Sequence, residues 1–389
     1  MHKLRNSRAK RFNHHFFLCA ASAFCCGAFL ILLPRSLGGL LPSVVTTSLH
    51  CEEATCKLSN ACVNSLGELQ LYGTEPEVSK QVAKIATFNT RFHKVKTYSS
   101  RFGGSSLHVR GMRERAVLID RYDDNCGHII ADEVYTAYRL VLETSNFRNS
   151  PQPSVGDVIL DHSGTARCDE WFRGISERVV TLPSNSTSCY KEVIFGTSGK
   201  SFADGYGQVA QRYLSSAKFN EDMLYFRQLH YHKARVSTRV SHVDKILIME
   251  KKHGMHMVNI ANIDELQATA VSEFPKHTVL KVSWSNYNIN QQIELLSQTK
   301  LLVSLSGSDV INGIFLPSGS YLLIYCRYVD GVKEASNEKA LWYNYLKYIQ
   351  TIEFCEDGHL RLQEQNVLVN ISHAAQVFRD ISLGITSMS

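Results

Sequence analysis

Residues 300–325 read KLLVSLSGSDVINGIFLPSGSYLLIY, and this stretch decides the fold. Lys300–Ser304 and Tyr321–Tyr325 are short apolar runs bounded by turn residues, the mark of buried strands. Between them Ser306-Gly307-Ser308 forms a tight turn, Val310–Leu316 is a short helix, and Pro317-Ser-Gly319 stops it. The same alternation continues outward. Lys245–Met249 reads as a buried strand, and Asn262-Ile-Asp-Glu265 as a helix start with an Asn cap and a Glu three residues on. Val279–Val282 is a strand, Ile289–Gln298 a helix, and Glu338–Ile349 a further helix. Strands alternating with helices across short connections predict a parallel, doubly wound α/β sheet. Ligands on such sheets bind at the carboxyl ends of the strands.

Upstream the pattern is patchier. Ala86–Arg91 and Asp157–Asp161 read as short strands, and Lys191–Phe195 as a buried strand entering the turn Gly196-Thr-Ser-Gly199. Glu133–Glu143 carries apolar residues at helical spacing, and Gly207–Ser216 reads as a helix. With 389 residues and 44% hydrophobic composition, the chain can support two domains of ordinary size.

The charge distribution excludes one class of partner. The net charge is +6, but Lys3, Arg5, Arg8, Lys10, Arg11 and Arg35 account for all of it. The remainder is formally neutral and lacks the basic surface of a nucleic-acid-binding protein. The basic head precedes an uncharged run of 18 residues, Phe16–Leu33, long enough to span a bilayer. The positive-inside bias predicts a single-pass type II protein with its bulk in the lumen of the ER or Golgi. The alternative is a cleaved signal peptide; the run is long for one, and no small-x-small cleavage site follows Pro34-Arg35. The expected organisation is a cytoplasmic tail (1–15), a transmembrane anchor (16–34), a stem (35–50), an N-terminal domain (51–225) and a C-terminal domain (226–389). Cys51, Cys56, Cys62, Cys126, Cys168, Cys189, Cys326 and Cys355 lie beyond the span, an even set that fits disulfides in an oxidising lumen and leaves their pairing open. The sequons at Asn185 and Asn370 fit glycosylation there.

The chemistry sits in Leu301–Ser320. Backbone N–H groups bared at a helix start form an anion site, and Gly307 lets a phosphate approach the chain. The bland alternative is that Ser308 or Asp309 merely caps the helix. Ser306-Gly307-Ser308-Asp309, Asn312 and Phe315-Leu-Pro-Ser-Gly-Ser320 resemble the signature of glycosyltransferase family 61, in which a strand runs into His-Gly-Ala-Gly. Here Ser306 replaces the histidine. Ile246–Lys252 followed by Asn259 is similar to the family's strand ending in a basic residue, with Lys251 or Lys252 where arginine is usual. Gln292 and the blocks Asn125–Asp132, Cys189–Gly196 and Cys51–Asn64 fall in the expected order, so the resemblance covers about 51–355.

The resemblance implies two facing Rossmann-like domains (GT-B), an acceptor-side N-terminal half and a C-terminal half that binds the nucleotide sugar. The implied activity is an inverting transfer of a sugar, GlcNAc or xylose, from a UDP-sugar to a glycan or glycoprotein acceptor. No resident metal or cofactor is expected; Asp120-Arg-Tyr-Asp-Asp124 reads as a solvated turn before Asn125. The donor-binding candidates are Lys251, Lys252, Asn259, Ser306, Gly307, Ser308 and Asn312. Inversion needs a proton acceptor, and His128 with Asp132, four residues apart, are the candidates. Trp284, Tyr287 and Trp342 are candidates for stacking. The resemblance also implies that Ser372–Ile381 packs back on the first domain. Ser306 and the lysines favour one alternative, a catalytically inactive lumenal binding module with the same fold. A lumenal hydrolase lacks its Gly-x-Ser-x-Gly elbow.

Overall fold

The computed structural model describes residues 46–52, 55–66, 68–73, 75–89, 97–98, 111–121, 125–144, 154–162, 168–196, 213–236, 243–251, 258–326, 328–329, 332–333, 343–355, 360–363 and 366–384. The expected anchor at 16–34 and the residues Lys252 and Trp342 lie outside this set. No helix among the described residues is long and apolar enough to cross a membrane.

The first half builds a mixed sheet. Its strands are β1 (Ser48–Glu52), β2 (Thr55–Val63), β3 (Leu69–Gln70), β4 (Thr97–Tyr98), β5 (Arg113–Arg121), β6 (Asp157–His162), β7 (Arg178–Thr181) and β8 (Ser188–Gly196). The order is β4-β3-β2-β8-β5-β6-β7, with β1 also paired to β2. β8, β5, β6 and β7 are mutually parallel, whereas β2 runs antiparallel to β8. Helix α1 (Glu75–Asn89) corrects the strand expected at Ala86–Arg91 over residues 86–89; 90 and 91 lie outside the described set. Val78, Val82 and Ile85 recur at helical spacing and bury that face, which outweighs the short run of strand-like residues after them. Helix α2 (Tyr135–Thr144) follows a π-helical turn, Ile129–Val134, and the short helix Cys126–His128.

The second half builds the expected parallel sheet. β9 (Lys245–Met249), β10 (Thr278–Val282), β11 (Thr299–Leu305), β12 (Ser320–Tyr325) and β13 (Ile349–Phe354) lie in the order β10-β9-β11-β12-β13, all parallel. Alternate side chains feed two cores. Ile246, Ile248, Leu301, Val303, Leu323 and Tyr325 face one core, under α4 (Ile263–Glu273) and α6 (Ile371–Ser382). Leu247, Met249, Leu302, Leu322 and Ile324 face the other, with α5 (Ile289–Ser297). That second core continues through α3 (Ala217–Lys233) to Val117, Val158 and Ile194 of the first sheet. The boundary drawn at 225/226 falls inside α3, where Asp222 pairs with Arg139 of α2 and Arg227 donates to the Leu316 carbonyl at 2.5 Å.

Three local expectations change. Asn262 opens α4 without capping it; its amide bridges Val369 instead, with bonds of 2.9 and 3.0 Å. The capping box belongs to Asn288 and Gln291 of α5. Of the helix expected over Glu338–Ile349 only residues 343–349 are described: Tyr343 is π-helical, 344–348 are not helical, and Ile349 opens β13. Helix α6 packs on α4 and its own sheet, held by the Arg379–Glu273 pair at 2.9 Å, because its buried residues Ala374, Val377, Phe378 and Ile381 complete that core. Eight cysteines form four disulfides, Cys51–Cys56, Cys62–Cys189, Cys126–Cys168 and Cys326–Cys355.

Candidate active site

In the second sheet β9 stands between β10, the next strand in sequence, and β11, the one after. The crossover from β9 to β10 and that from β11 to β12 therefore run in opposite directions, and a crevice opens between the carboxyl ends of β9 and β11. The described residues place a cleft of about 450 Å³ there. Glu250 and Lys251 enter from β9, the Ser283–Asn288 loop from β10, and Ser308, Asp309 and Asn312 from β11. The opposite wall is supplied by Cys126, Gly127, Ile130, Cys168, Glu170 and Trp171 of the first half.

The corner after β11 has the geometry its sequence requires. Ser306 continues the ladder by donating its N–H to Tyr325 at 2.8 Å, and its side chain is buried. Gly307 then turns with φ of +127°, a conformation that glycine tolerates and other residues rarely adopt. A 3-10 helix, Ser308–Phe315, starts at once; its first bond runs from Val310 N–H to the Gly307 carbonyl at 3.1 Å. The N–H groups of Gly307, Ser308 and Asp309 precede that bond and have no partner among the described residues. Lys251 Nζ lies 3.6 Å from Asp309 Oδ2, so a cation and the bared amides meet across the switch point.

The candidate donor residues divide by position. Lys251, Ser308 and Asn312 line the cleft, Gly307 stands behind Ser308 outside the lining, and Asn312 Oδ1 is buried without a partner among the described residues. Asn259 does not line it. Its amide brackets the Lys251 backbone with two bonds of 2.8 Å and so fixes the direction of the lysine. Ser306 supports the corner from behind. Gln292 braces the β10 loop, donating to the carbonyls of Trp284 at 3.2 Å and Tyr287 at 2.9 Å, while both aromatic residues line the cleft.

On the opposite wall, Asn125 caps the helix that carries Gly127 and His128, accepting from Gly127 N–H at 3.0 Å. His128 Nδ1 lies 3.2 Å from Asp132 Oδ2, and the imidazole is 56% exposed. The pair forms as its spacing predicts, but it stands beside the cleft lining, not in it. Gly127 itself presses on Ser308: a Cβ there would lie 2.6 Å from the Ser308 carbonyl oxygen. Trp171 stacks on Phe315 at 5.2 Å between centroids, tying the wall to the 3-10 helix of the corner. His230 packs behind Trp171 and Phe315; burial lowers its pKa to about 4, so the imidazole is neutral. Asn185 and Asn370, the sequon residues, are exposed; Asn370 also caps α6, accepting from His373 N–H at 3.2 Å.

Sequence reasoning missed Glu170 and Trp171. They sit on a six-residue 3-10 helix, Asp169–Gly174, too short for a periodic signal. Its anchor is the Cys126–Cys168 bond, and spacing alone does not reveal that pairing.

Two solved structures are similar to the chain only distantly. The flavodiiron core of Flv1 from Synechocystis sp. PCC6803 is 8% identical with a TM-score of 0.25, covering 89% of this chain and 100% of its own. The C-terminal domain of glucosamine-fructose-6-phosphate aminotransferase from Francisella tularensis is 11% identical with a TM-score of 0.18, covering 70% of this chain and 83% of its own. Neither likeness carries an argument. No curated protein matches the chain. The family model for Glycosyltransferase 61 matches residues 42–323, well over half of the chain. With that span including the bared amides after β11, the lysine after β9 and the facing wall, the chain belongs to glycosyltransferase family 61 and is a glycosyltransferase of nucleotide-sugar donors and glycan acceptors.

Proposed function

We propose that the protein is an inverting, membrane-anchored glycosyltransferase of the ER or Golgi. It transfers GlcNAc or xylose from a UDP-sugar to a glycan or glycoprotein acceptor in the lumen. The observation that carries this reading is the corner itself: Lys251, Ser308 and Asp309 line one cleft, next to the Gly307 turn, and the N–H groups at 307–309 have no partner among the described residues. Such a corner meets the charge of a diphosphate and stabilises it further as it departs. In the GT-B arrangement we infer, residues 226–389 hold the nucleotide and residues 51–225 present the acceptor. The parallel block β8-β5-β6-β7 supports a Rossmann-like origin for the latter.

The acceptor hydroxyl attacks the anomeric carbon from the face opposite the diphosphate. The new glycosidic bond forms as the bond to the phosphate oxygen breaks, and UDP leaves. His128, oriented by Asp132, takes the hydroxyl proton. The contact of Gly127 with Ser308 supports this assignment, because it sets the neighbouring histidine beside the corner. The leaving charge is met by Lys251 and the amides, so the reading calls for no resident metal.

A second reading, the catalytically inactive lumenal module, is favoured by one observation. Ser306, where the family has histidine, is buried and does not line the cleft. Incubating the full-length protein in detergent with a panel of UDP-sugars and acceptor glycans, and following UDP release and product, separates the two. Turnover with one donor supports the transferase. Donor binding without turnover on any acceptor supports the silent module, and absence of both overturns the assignment of the corner.

A further inference from the structure

Among the described residues, three carboxylates line the cleft. Asp309 is paired with Lys251, and Glu250 interacts with Lys281 and has further partners. Glu170 differs. It is exposed, and its side chain makes no hydrogen bond or ion pair with any described residue. Its backbone is nevertheless held in place. Cys168, immediately before its helix, is bonded to Cys126, and the next residue, Trp171, is buried against Phe315. The backbone that carries this unpaired carboxylate is thus fixed on the wall opposite the corner proposed to receive a diphosphate. The carboxylate would repel that anion, so its place in the cleft calls for a neutral partner rich in hydrogen-bond donors. A carboxylate accepts from two adjacent hydroxyls at once, with charge-assisted strength.

We propose that Glu170 is a specificity-determining residue that recognises the sugar: its carboxylate accepts hydrogen bonds from vicinal hydroxyls of a neutral hexose or pentose, and its charge excludes a sugar bearing a carboxylate at that place. This deepens the transferase reading and rests on it. The hydroxyls can belong to the donor sugar or to the terminal sugar of the acceptor, and the two sources are distinguishable.

The test uses the full-length protein in detergent, as wild type, E170A, E170Q and E170D. Calorimetric titrations with UDP, UDP-GlcNAc, UDP-xylose and UDP-glucuronic acid are paired with acceptor kinetics. UDP, which carries ribose but not the transferred sugar, binds all four proteins alike; a loss of UDP affinity in E170A would assign the carboxylate to the ribose hydroxyls and overturn the proposal. If the donor sugar is recognised, E170A loses about 10- to 100-fold in affinity for the preferred UDP-sugar, E170D recovers part of it, and E170Q gains affinity for UDP-glucuronic acid. If the acceptor is recognised, donor binding is unchanged and the acceptor KM rises by the same factor, with kcat within about threefold. The proposal is overturned if E170A leaves donor affinity and acceptor KM unchanged. It is also overturned if kcat falls about 100-fold at unchanged KM, which would make Glu170 the proton acceptor. A wild type that binds no UDP removes the transferase reading itself, and the proposal with it. Because Glu170 is exposed and unpaired, melting temperatures of the variants should match wild type.

Discussion

Replacing Gly127 by alanine tests whether the two walls of the cleft meet at the corner. The new methyl carbon would lie 2.6 Å from the Ser308 carbonyl oxygen, 2.7 Å from its Cβ and 2.8 Å from its Cα. Carbon contacts are comfortable at about 3.5–4.0 Å, so one wall must retreat by roughly 1 Å. Neither side yields easily. Gly127 follows a disulfide-bonded cysteine and is capped by Asn125, while Ser308 opens a helix whose Val310, Ile314 and Phe315 are buried. Overpacking of this kind costs about 1–3 kcal/mol. A misplacement of about 1 Å at a reacting centre costs about 100-fold in rate. Gly127→Ala should therefore lower the melting temperature by a few degrees, weaken UDP binding, and reduce turnover by about two orders of magnitude. Thermal denaturation with and without UDP, calorimetry and a UDP-release assay measure the three quantities. An alanine variant with the stability and UDP affinity of wild type would show that Gly127 and Ser308 are not in contact, and that the cleft is not closed in this way.

Lys251→Ala should weaken UDP binding by about 10-fold or more through loss of a charge-assisted contact, whereas Asp309→Asn should strengthen it by removing a like charge from the corner. Opposite signs in calorimetry check the pairing seen at 3.6 Å. His128→Ala should keep UDP affinity and lose about 10²–10⁴ in kcat; full turnover would remove histidine from the proton transfer. His230 is held neutral by burial, with a pKa lowered to about 4. The unfolded chain therefore takes up a proton as pH falls through about 6.5, and the folded chain only near 4. The His230 contribution to stability should be constant above that window, decline within it by about 3 kcal/mol as pH falls, and level off below it. Urea midpoints against pH, for wild type and His230→Phe, test this; identical slopes would refute it.

The second half of the fold was legible because its information is local. Apolar runs such as Lys245–Met249 and Tyr321–Tyr325, separated by turn residues and amphipathic helices, are enough to specify a parallel sheet. Gly307 was legible for the same reason, since a strand, a glycine turn and a helix start are contiguous. The first half depends on distant pairings. β2 joins β8 across more than a hundred residues, and the Cys62–Cys189 bond spans a separation of 127. The wall carrying Glu170 arises from the same kind of non-local closure. Asn262 shows the limit of motif reading: the residue lies at the helix start, yet its amide bridges a strand 107 positions away. Asn259 likewise has a visible motif position, but only the fold shows that it fixes Lys251 instead of facing the cleft.

A crystal structure of the full protein with UDP bears most directly on the corner. The β-phosphate oxygens should lie within hydrogen-bonding distance of the N–H groups of Gly307, Ser308 and Asp309, with the Lys251 ammonium beside them. A nucleotide bound elsewhere, or one whose phosphates point away from these amides, would contradict the account.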